Sequence, residues 1–271
     1  MHSFYLKTTA VLLLSAFFFA AVSLYAWERY LDESDRLRQL AYEVIGMAPS
    51  SPTDTLQRLN TWVFHNRGFA KNRHYFLIQK FGPTPVQVLE YGGDCADKSR
   101  LLSAMLYHVG IPNTLVMLYS PDYGRPTHTV VETRAQDLRA VADPVFDIVF
   151  PDGRGGMLGV TTLREHHDVF LARIAQLAAE RGPQSKVAHY DTELESYRWP
   201  KTVNWERSPL TRGIAAMLAP LVPEPSLVQR PRVLEEPVLL VSAATLAAAV
   251  VLLSIGVWTM RQGLLRLRHV E

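Results

Sequence analysis

Two long apolar runs near the ends of this 271-residue chain constrain its fold more than any other feature. The second run, Val238 to Met260, contains no charged residue and is long enough to cross a bilayer as a helix. The first run, Thr8 to Trp27, has a similar length and composition. The pattern therefore predicts a membrane helix at each end of the chain, with a folded region between them.

The first apolar run is open to two interpretations. Small residues at 21–23 lie where a signal peptide could be cleaved. The length of the run, and a start marked only by Lys7, favour an uncleaved anchor instead. In either case the region that follows is expected to be exported.

The basic tail after the second run predicts the orientation of the chain. Arg261, Arg266 and Arg268 outnumber the single acid, Glu271, and basic flanks of membrane helices stay in the cytoplasm. With two spans, the N-terminus is then cytoplasmic as well. We therefore expect residues 28–237 outside a bacterial cytoplasmic (inner) membrane and both termini inside.

Composition shifts and turn residues divide the chain into six segments. We expect a transmembrane anchor at 8–27, an amphipathic helical connector at 28–50, a folded domain with a C-terminal extension at 51–219, a proline-rich linker at 220–237, a transmembrane helix at 238–260 and a basic cytoplasmic tail at 261–271. The net charge of +2 gives no sign of a nucleic-acid footprint, so we expect no nucleic-acid partner.

The folded domain contains the only cysteine of the chain, Cys95, directly before a predicted helix. The apolar residues that recur at helical spacing are Leu101, Leu102, Met105, Leu106 and Val109. Asp94 can cap this helix, and Asp97 can complete a capping box. Cys95 then lies in the first turn, where free N–H groups and the helix dipole favour a thiolate nucleophile. The alternative is a small buried hydrophobic residue.

Other patterns predict the elements around this helix. Thr53 or Asp54 is expected to cap a helix before it, and 114–119 is expected to form a strand after it. Thr162 and Glu165 resemble a capping box that opens a helix ending at Arg181. Within that helix, 165–168 is a poor metal chelator, because adjacent residues point about 100° apart. Residues 184–208 fit a surface strap or a partner-binding face.

A hairpin at 127–142 places two more polar residues together. Strands 127–133 and 138–142 flank a four-residue loop, and antiparallel pairing of Thr133 with Leu138 fixes one register. Three complementary pairs then share one side of the ribbon: Glu132 with Arg139, Val130 with Val141, and His128 with Asp143. This register predicts a His–Asp pair.

Together these motifs resemble the bacterial transglutaminase-like domain, which has a papain-like α+β fold. The resemblance covers about 53–150 and rests on the run 93–99 with Leu102, Gly110-Ile111-Pro112, Thr127-His128 and Asp143-Pro144. It implies a cysteine at a helix N-terminus packed on an antiparallel sheet. It also implies Cys95 as nucleophile, His128 as base and Asp143 as the residue that orients the base, with no metal and no cofactor. Gln87 and Tyr91 are both candidates for the oxyanion residue.

The resemblance implies a reaction class and leaves the acyl acceptor open. We expect a membrane-anchored thiol hydrolase (amidase or peptidase) or acyl transferase that forms an acyl-Cys95 intermediate. Its substrate would be a peptide or protein outside the cytoplasmic membrane. The alternative is a non-catalytic accessory or binding subunit of a membrane or cell-envelope assembly, with 184–237 as the partner surface. The expected partners are thus a substrate, the lipid bilayer and, through 184–237, another membrane protein.

Overall fold

The computed structural model describes residues 2–46, 51–122, 124–135 and 138–268. The end of the predicted connector, 47–50, and the last three residues of the predicted tail, 269–271, lie outside the described residues, as do two positions of the predicted hairpin loop, 136 and 137. The chain divides into two units, one of Met1–Glu33 with Arg232–Glu271 and one of Ser34–Pro231.

The first unit is built from two long helices. Helix α1 spans His2–Ile45, of which the part up to Glu33 belongs to this unit, and the C-terminal helix spans Pro237–Arg268. By length and composition, both helices could cross a membrane. They run antiparallel, because Thr9 contacts Thr259 at 3.1 Å between hydroxyl oxygens and the Ser23 hydroxyl donates to the Ser242 carbonyl at 2.9 Å. Small polar residues at these contacts let the two backbones approach closely.

The second unit contains a five-stranded antiparallel sheet with helices around it, which confirms the α+β fold. The strands are β1 Asn113–Tyr119, β2 Pro126–Thr133, β3 Val141–Asp143, β4 Ile148–Val149 and β5 Pro200–Lys201, in the spatial order β4-β3-β2-β1-β5. The helices are α2 Pro52–His65, α3 Pro85–Tyr91, α4 Cys95–His108, α5 Val160–Glu165, α6 His167–Arg181 and α7 Pro209–Leu218; the C-terminal helix is α8.

The sheet has an apolar core on each face, because alternate strand residues point to opposite sides. Leu115 and Val131 join the core that contains the apolar residues of α4 and α2. Val116 and Val130 join the core that contains α6 and parts of the C-terminal extension. The sheet is thus buried on both faces, and the helix that begins at Cys95 packs against one of them.

The C-terminal extension, 184–208, contributes to the second core. Val187, Tyr190 and Tyr197 are buried there. The hydroxyl of Thr127, at the start of β2, donates to the carbonyl of Leu194. The segment predicted as a surface strap or a partner face is therefore largely packed against the sheet.

The predicted hairpin register is wrong by two residues. Val131 pairs with Ala142 and Glu132 with Val141, so Arg139 does not face Glu132. The Thr133 hydroxyl accepts from the Ala140 N–H at 3.0 Å and donates to the Leu138 carbonyl at 2.8 Å. These side-chain bonds hold 138–140 in a wide connection before β3 begins.

A shift of two residues keeps every side chain on its predicted face, because the side-chain period of a strand is two. Glu132 has other partners in the structure. Its carboxylate lies 2.6 Å from Arg134 and accepts the backbone N–H of Val160 at 2.9 Å. The predicted ion pair of Glu132 with Arg139 is therefore wrong, while the face assigned to His128 is retained.

Two predicted helix starts are also wrong. Ser51 caps α2, since its hydroxyl accepts the N–H of Asp54 at 3.1 Å. The helix predicted from Thr162 starts two residues earlier, where Glu132 takes the N–H of Val160 in place of a local cap. It also breaks at His166, which separates α5 from α6.

Candidate active site

The start of α4 has the predicted cap. The Asp94 carboxylate accepts the N–H groups of Ala96 at 3.0 Å and Asp97 at 3.2 Å, and the Asp97 carboxylate accepts the N–H of Asp94 at 3.3 Å. This is a complete capping box, and Cys95 is the first residue of the helix. Because the cap occupies the N–H groups that follow, the N–H of Cys95 itself is left at the open end of the helix.

The two glycines before Cys95 lie where neighbouring atoms leave no room for a side chain. Gly92 has a φ of +77°, and a Cβ there would lie 2.7 Å from the carbonyl oxygen of Gly68. A Cβ on Gly93 would lie 2.3 Å from Cβ of Asp97. The side chain of Asn72 donates to the Gly92 carbonyl at 2.6 Å. Only glycine fits at these two positions, and the hydrogen bond from Asn72 stabilises the backbone at Gly92.

Lys98 ties the nucleophile helix to the end of α2. Its side chain is 1% exposed, and Nζ lies within hydrogen-bonding distance of four backbone carbonyls, those of Val63, Phe64, Asn66 and Arg67, at 2.7 to 3.4 Å. These carbonyls belong to the end of α2 and the turn after it, where helix carbonyls lack partners. Burial, with a contribution from Lys186, lowers the pKa of Lys98 to about 8.

The structure brings His128 and Asp143 together, as the sequence predicts. His128 Nε2 lies 2.7 Å from Asp143 Oδ2, and the two residues are 2% and 0% exposed. The other carboxylate oxygen, Oδ1, accepts the N–H groups of Val145 at 2.9 Å and Phe146 at 3.3 Å. Both oxygens of Asp143 are thus engaged, and the carboxylate is fixed in orientation.

The structure also brings Cys95 to the same imidazole. The thiol of Cys95, which is half-buried, interacts with this imidazole and contributes to raising the pKa of His128. Since Nε2 is occupied by Asp143, the ring nitrogen available to the thiol is Nδ1. Burial disfavours the charged imidazole, but Asp143 and Cys95 together outweigh this effect and raise the pKa of His128 well above its ordinary value. The imidazole of His128 therefore has a bonded carboxylate, that of Asp143, and a neighbouring thiol, that of Cys95.

Aromatic side chains enclose the imidazole. The rings of Phe146 and Tyr190 meet that of His128 edge to face, with centroids 5.7 and 6.2 Å away. The Tyr190 hydroxyl donates to the carbonyl of Glu195 at 3.0 Å. Such walls exclude water and strengthen the electrostatic interactions within the site.

Glu195 is a residue of this neighbourhood that the sequence analysis missed. It lies in the C-terminal extension, and its charge interacts with those of His128 and Asp143. Burial raises the pKa of Glu195 to about 7, against the opposing effect of His128. Its Oε2 is buried and has no hydrogen-bond partner within the described part of the chain. No local motif marks this residue, because only the packing of the extension brings it near β2.

The two oxyanion candidates have other contacts. The side-chain oxygen of Gln87 accepts the N–H of Thr84 at 2.9 Å, in the capping box that starts α3. Tyr91 is exposed and stacks on His74 with ring centroids 3.7 Å apart. For metals, no group of three His, Cys, Asp or Glu side chains could hold an ion among the residues that the structure describes.

Comparison with known proteins gives one similar solved structure and one matching family model. A crystal structure of a candidate cysteine protease from Cytophaga hutchinsonii is 19% identical, with a TM-score of 0.34, over 41% of this chain and 37% of that one. The chain thus matches little more than a third of that protein's length. No curated protein matches the chain. Residues 38–147 match the model of the transglutaminase-like superfamily.

Proposed function

We propose that this chain is a membrane-anchored thiol enzyme that transfers acyl groups through Cys95, acting as an amide hydrolase or an acyl transferase. One observation supports the proposal most strongly: a single buried imidazole, that of His128, bonds to the fixed carboxylate of Asp143 and interacts with the half-buried thiol of Cys95. A nucleophile, a base and a group that orients the base are the parts such chemistry needs.

In the first half of the reaction, the Cys95 sulfur attacks the carbonyl carbon of an amide. The thiol proton is taken up at His128 Nδ1, and Asp143 stabilises the resulting imidazolium. The C–N bond breaks as the imidazolium returns the proton to the leaving amine, which leaves a thioester on Cys95. In the second half, water or an amine attacks the thioester after losing a proton to the imidazole, and the thiol is regenerated.

The start of α4 can stabilise the negative charge that develops on the carbonyl oxygen in this reaction. The free N–H of Cys95 and the positive end of the helix dipole favour the negative charge on the carbonyl oxygen in the transition state. We assign this backbone N–H as one oxyanion donor.

The two apolar helices support anchoring in a membrane. The arginines that follow the second helix favour an orientation with the domain between the helices outside. Alkaline phosphatase fused at Gly153, in an exposed loop, should then be active, because that enzyme folds only outside the cytoplasm. An inactive fusion at Gly153, with a cytoplasmic reporter active at the same site, would contradict the orientation.

The acyl-enzyme itself tests the chemistry. The full-length protein would be isolated from membranes after rapid acid quench, and its intact mass compared before and after neutral hydroxylamine, which cleaves thioesters. We expect a hydroxylamine-sensitive adduct on the wild type, at Cys95, and none on Cys95→Ala or His128→Ala. The mass of the adduct would identify the acyl donor. If the wild type carries no adduct, and Cys95→Ala membranes hydrolyse peptide amides as fast as wild-type membranes, a non-catalytic binding role is favoured instead.

A further inference from the structure

Helix α7 presents an apolar face that the second unit does not cover. None of its residues is buried. Leu210 and Met217 are each 75% exposed, and Ile214 is exposed between them. Their spacing of four and three residues places these three side chains along one side of the helix axis.

The helix is formed without help from a core. The Ser208 hydroxyl accepts the N–H of Thr211 at 3.1 Å, and the Thr211 hydroxyl donates to the carbonyl of Trp205 at 2.7 Å. These bonds cap the helix. A helix this short is nevertheless marginal in water when its apolar side has nothing to pack against. The exposed stripe therefore indicates that something covers it in the working protein.

Hydrogen bonds hold the chain in place on both sides of helix α7. The Trp205 indole donates to the carbonyl of Pro225 at 2.8 Å, and the N–H of Thr202 donates to the carbonyl of Ser226 at 2.7 Å. The chain thus departs from the rest of the second unit near Trp205 and returns to it near Pro225. From Leu227, which is buried, ten residues lead to Pro237 at the start of α8. By chain length alone, this spans at most about 35 Å.

The charges in and around α7 indicate what kind of partner would cover its apolar stripe. Between 207 and 223 the only charged residues are Arg207 and Arg212, and no acid is present. A short helix with an apolar stripe, one arginine before it and one within it is suited to the interface of an anionic bilayer, where the stripe enters the acyl region and the arginines meet phosphate groups.

From these observations we infer that α7 lies in the surface of the membrane into which α8 inserts, with its apolar stripe buried among the lipids. The inference rests on the membrane anchoring proposed above. It would make α7 an interfacial contact of the exported domain, additional to the two spans.

Site-directed fluorescence tests this in the full-length chain. In a Cys95→Ser background the chain has no cysteine, so a single bimane label can be placed by Met217→Cys on the stripe or by Leu210→Cys as a second stripe position. Ala219→Cys is the matched control, because it lies two residues on, about 200° around the helix. The protein would be reconstituted in phosphatidylcholine–phosphatidylglycerol liposomes with doxyl-labelled lipids, and iodide would report exposure to water.

We expect the labels at 210 and 217 to be quenched several-fold more by doxyl lipid than the label at 219, and to be protected from iodide. Equal iodide quenching at all three sites would overturn the inference. So would labels at 210 and 217 that neither quencher reaches, since a protein surface would then cover the stripe. A label from Val251→Cys, on an exposed position of α8, separates the two proposals: doxyl quenching at 251 but not at 217 leaves the anchor intact, and no quenching at either site rejects both.

Discussion

Asp143 holds the imidazole of His128 at 2.7 Å although the two residues are diagonal, not opposite, across β2 and β3. If the register of these strands is extended by one residue, Asp143 lies opposite Val130, which is two residues from His128. The carboxylate reaches the imidazole because the turn after β3 fixes it, through the N–H groups of Val145 and Phe146. The geometry of the pair therefore depends on this turn as much as on the sheet.

Lys98 is expected to be a structural anchor of the nucleophile helix. Lys98→Met removes the donor shared by the carbonyls at the end of α2, and should lower the free energy of unfolding by roughly 2–3 kcal/mol, the cost of leaving buried acceptors without donors. Urea denaturation in detergent measures the change. Lys80→Met is the control, because Lys80 is exposed. Equal effects of the two substitutions would show that the four carbonyl contacts contribute little.

Substitution of the two arginines of the β2–β3 connection should change the free energy of unfolding by very different amounts. Arg134 pairs with buried Glu132, and its guanidinium also donates to the carbonyl of Leu227 at 3.0 Å. Arg134→Met should destabilise the protein by roughly 2–3 kcal/mol, somewhat less than for a fully enclosed pair. Arg139 is exposed, and Arg139→Met should change the free energy of unfolding by no more than about 0.5 kcal/mol. The reverse order, measured by urea denaturation, would restore the register predicted from the sequence.

Local sequence predicted the geometry of the candidate site better than the strand register. The cap of α4, the position of Cys95 and the face of His128 follow from spacing within a few residues, and the structure agrees on each. The strand register could not be predicted in this way, because the Thr133 hydroxyl forms hydrogen bonds with the backbone of Leu138 and Ala140 in the connection between the strands. A period-two pattern specifies the face of a strand but tolerates a shift of two residues.

The missed elements depend on contacts between distant parts of the chain. Glu132 caps α5 across 28 residues, and Glu195 reaches the neighbourhood of His128 only because the C-terminal extension packs on the sheet. Neither residue belongs to a local pattern that identifies its role. Contacts of this kind require the tertiary structure.

The raised pKa of Glu195 predicts a specific dependence of stability on pH. Its folded value of about 7 lies above the ordinary value of 4.5, so the folded state binds more protons than the unfolded state between these values. The contribution of Glu195 to stability is therefore largest below pH 4.5 and is lost as the pH rises toward 7. Glu195→Gln removes this loss, so its melting temperature relative to wild type should increase from pH 5 to pH 8.

Thermal unfolding at pH 5, 6, 7 and 8 measures that difference. Glu193→Gln is the control on the same segment, because Glu193 is exposed and pairs only at the surface with Arg198, at 3.1 Å. A difference between Glu195→Gln and wild type that is constant across the pH range would show that Glu195 titrates as an ordinary surface carboxyl.

The most direct measurement is the rate of iodoacetamide alkylation from pH 5 to 9 in the wild type, His128→Ala and Asp143→Asn. The chain has a single cysteine, so all labelling reports on Cys95. An ordinary thiol titrates near 8.5 and is less than about 1% thiolate at pH 6. The imidazolium of His128 should stabilise the thiolate, so at pH 6 the wild type should react roughly tenfold or more faster than His128→Ala. Asp143→Asn should fall between them, since its amide can still contact the imidazole but no longer supplies a negative charge. If all three proteins follow one curve with a midpoint near that of an ordinary thiol, Cys95 is a structural cysteine and the proposed enzyme is contradicted.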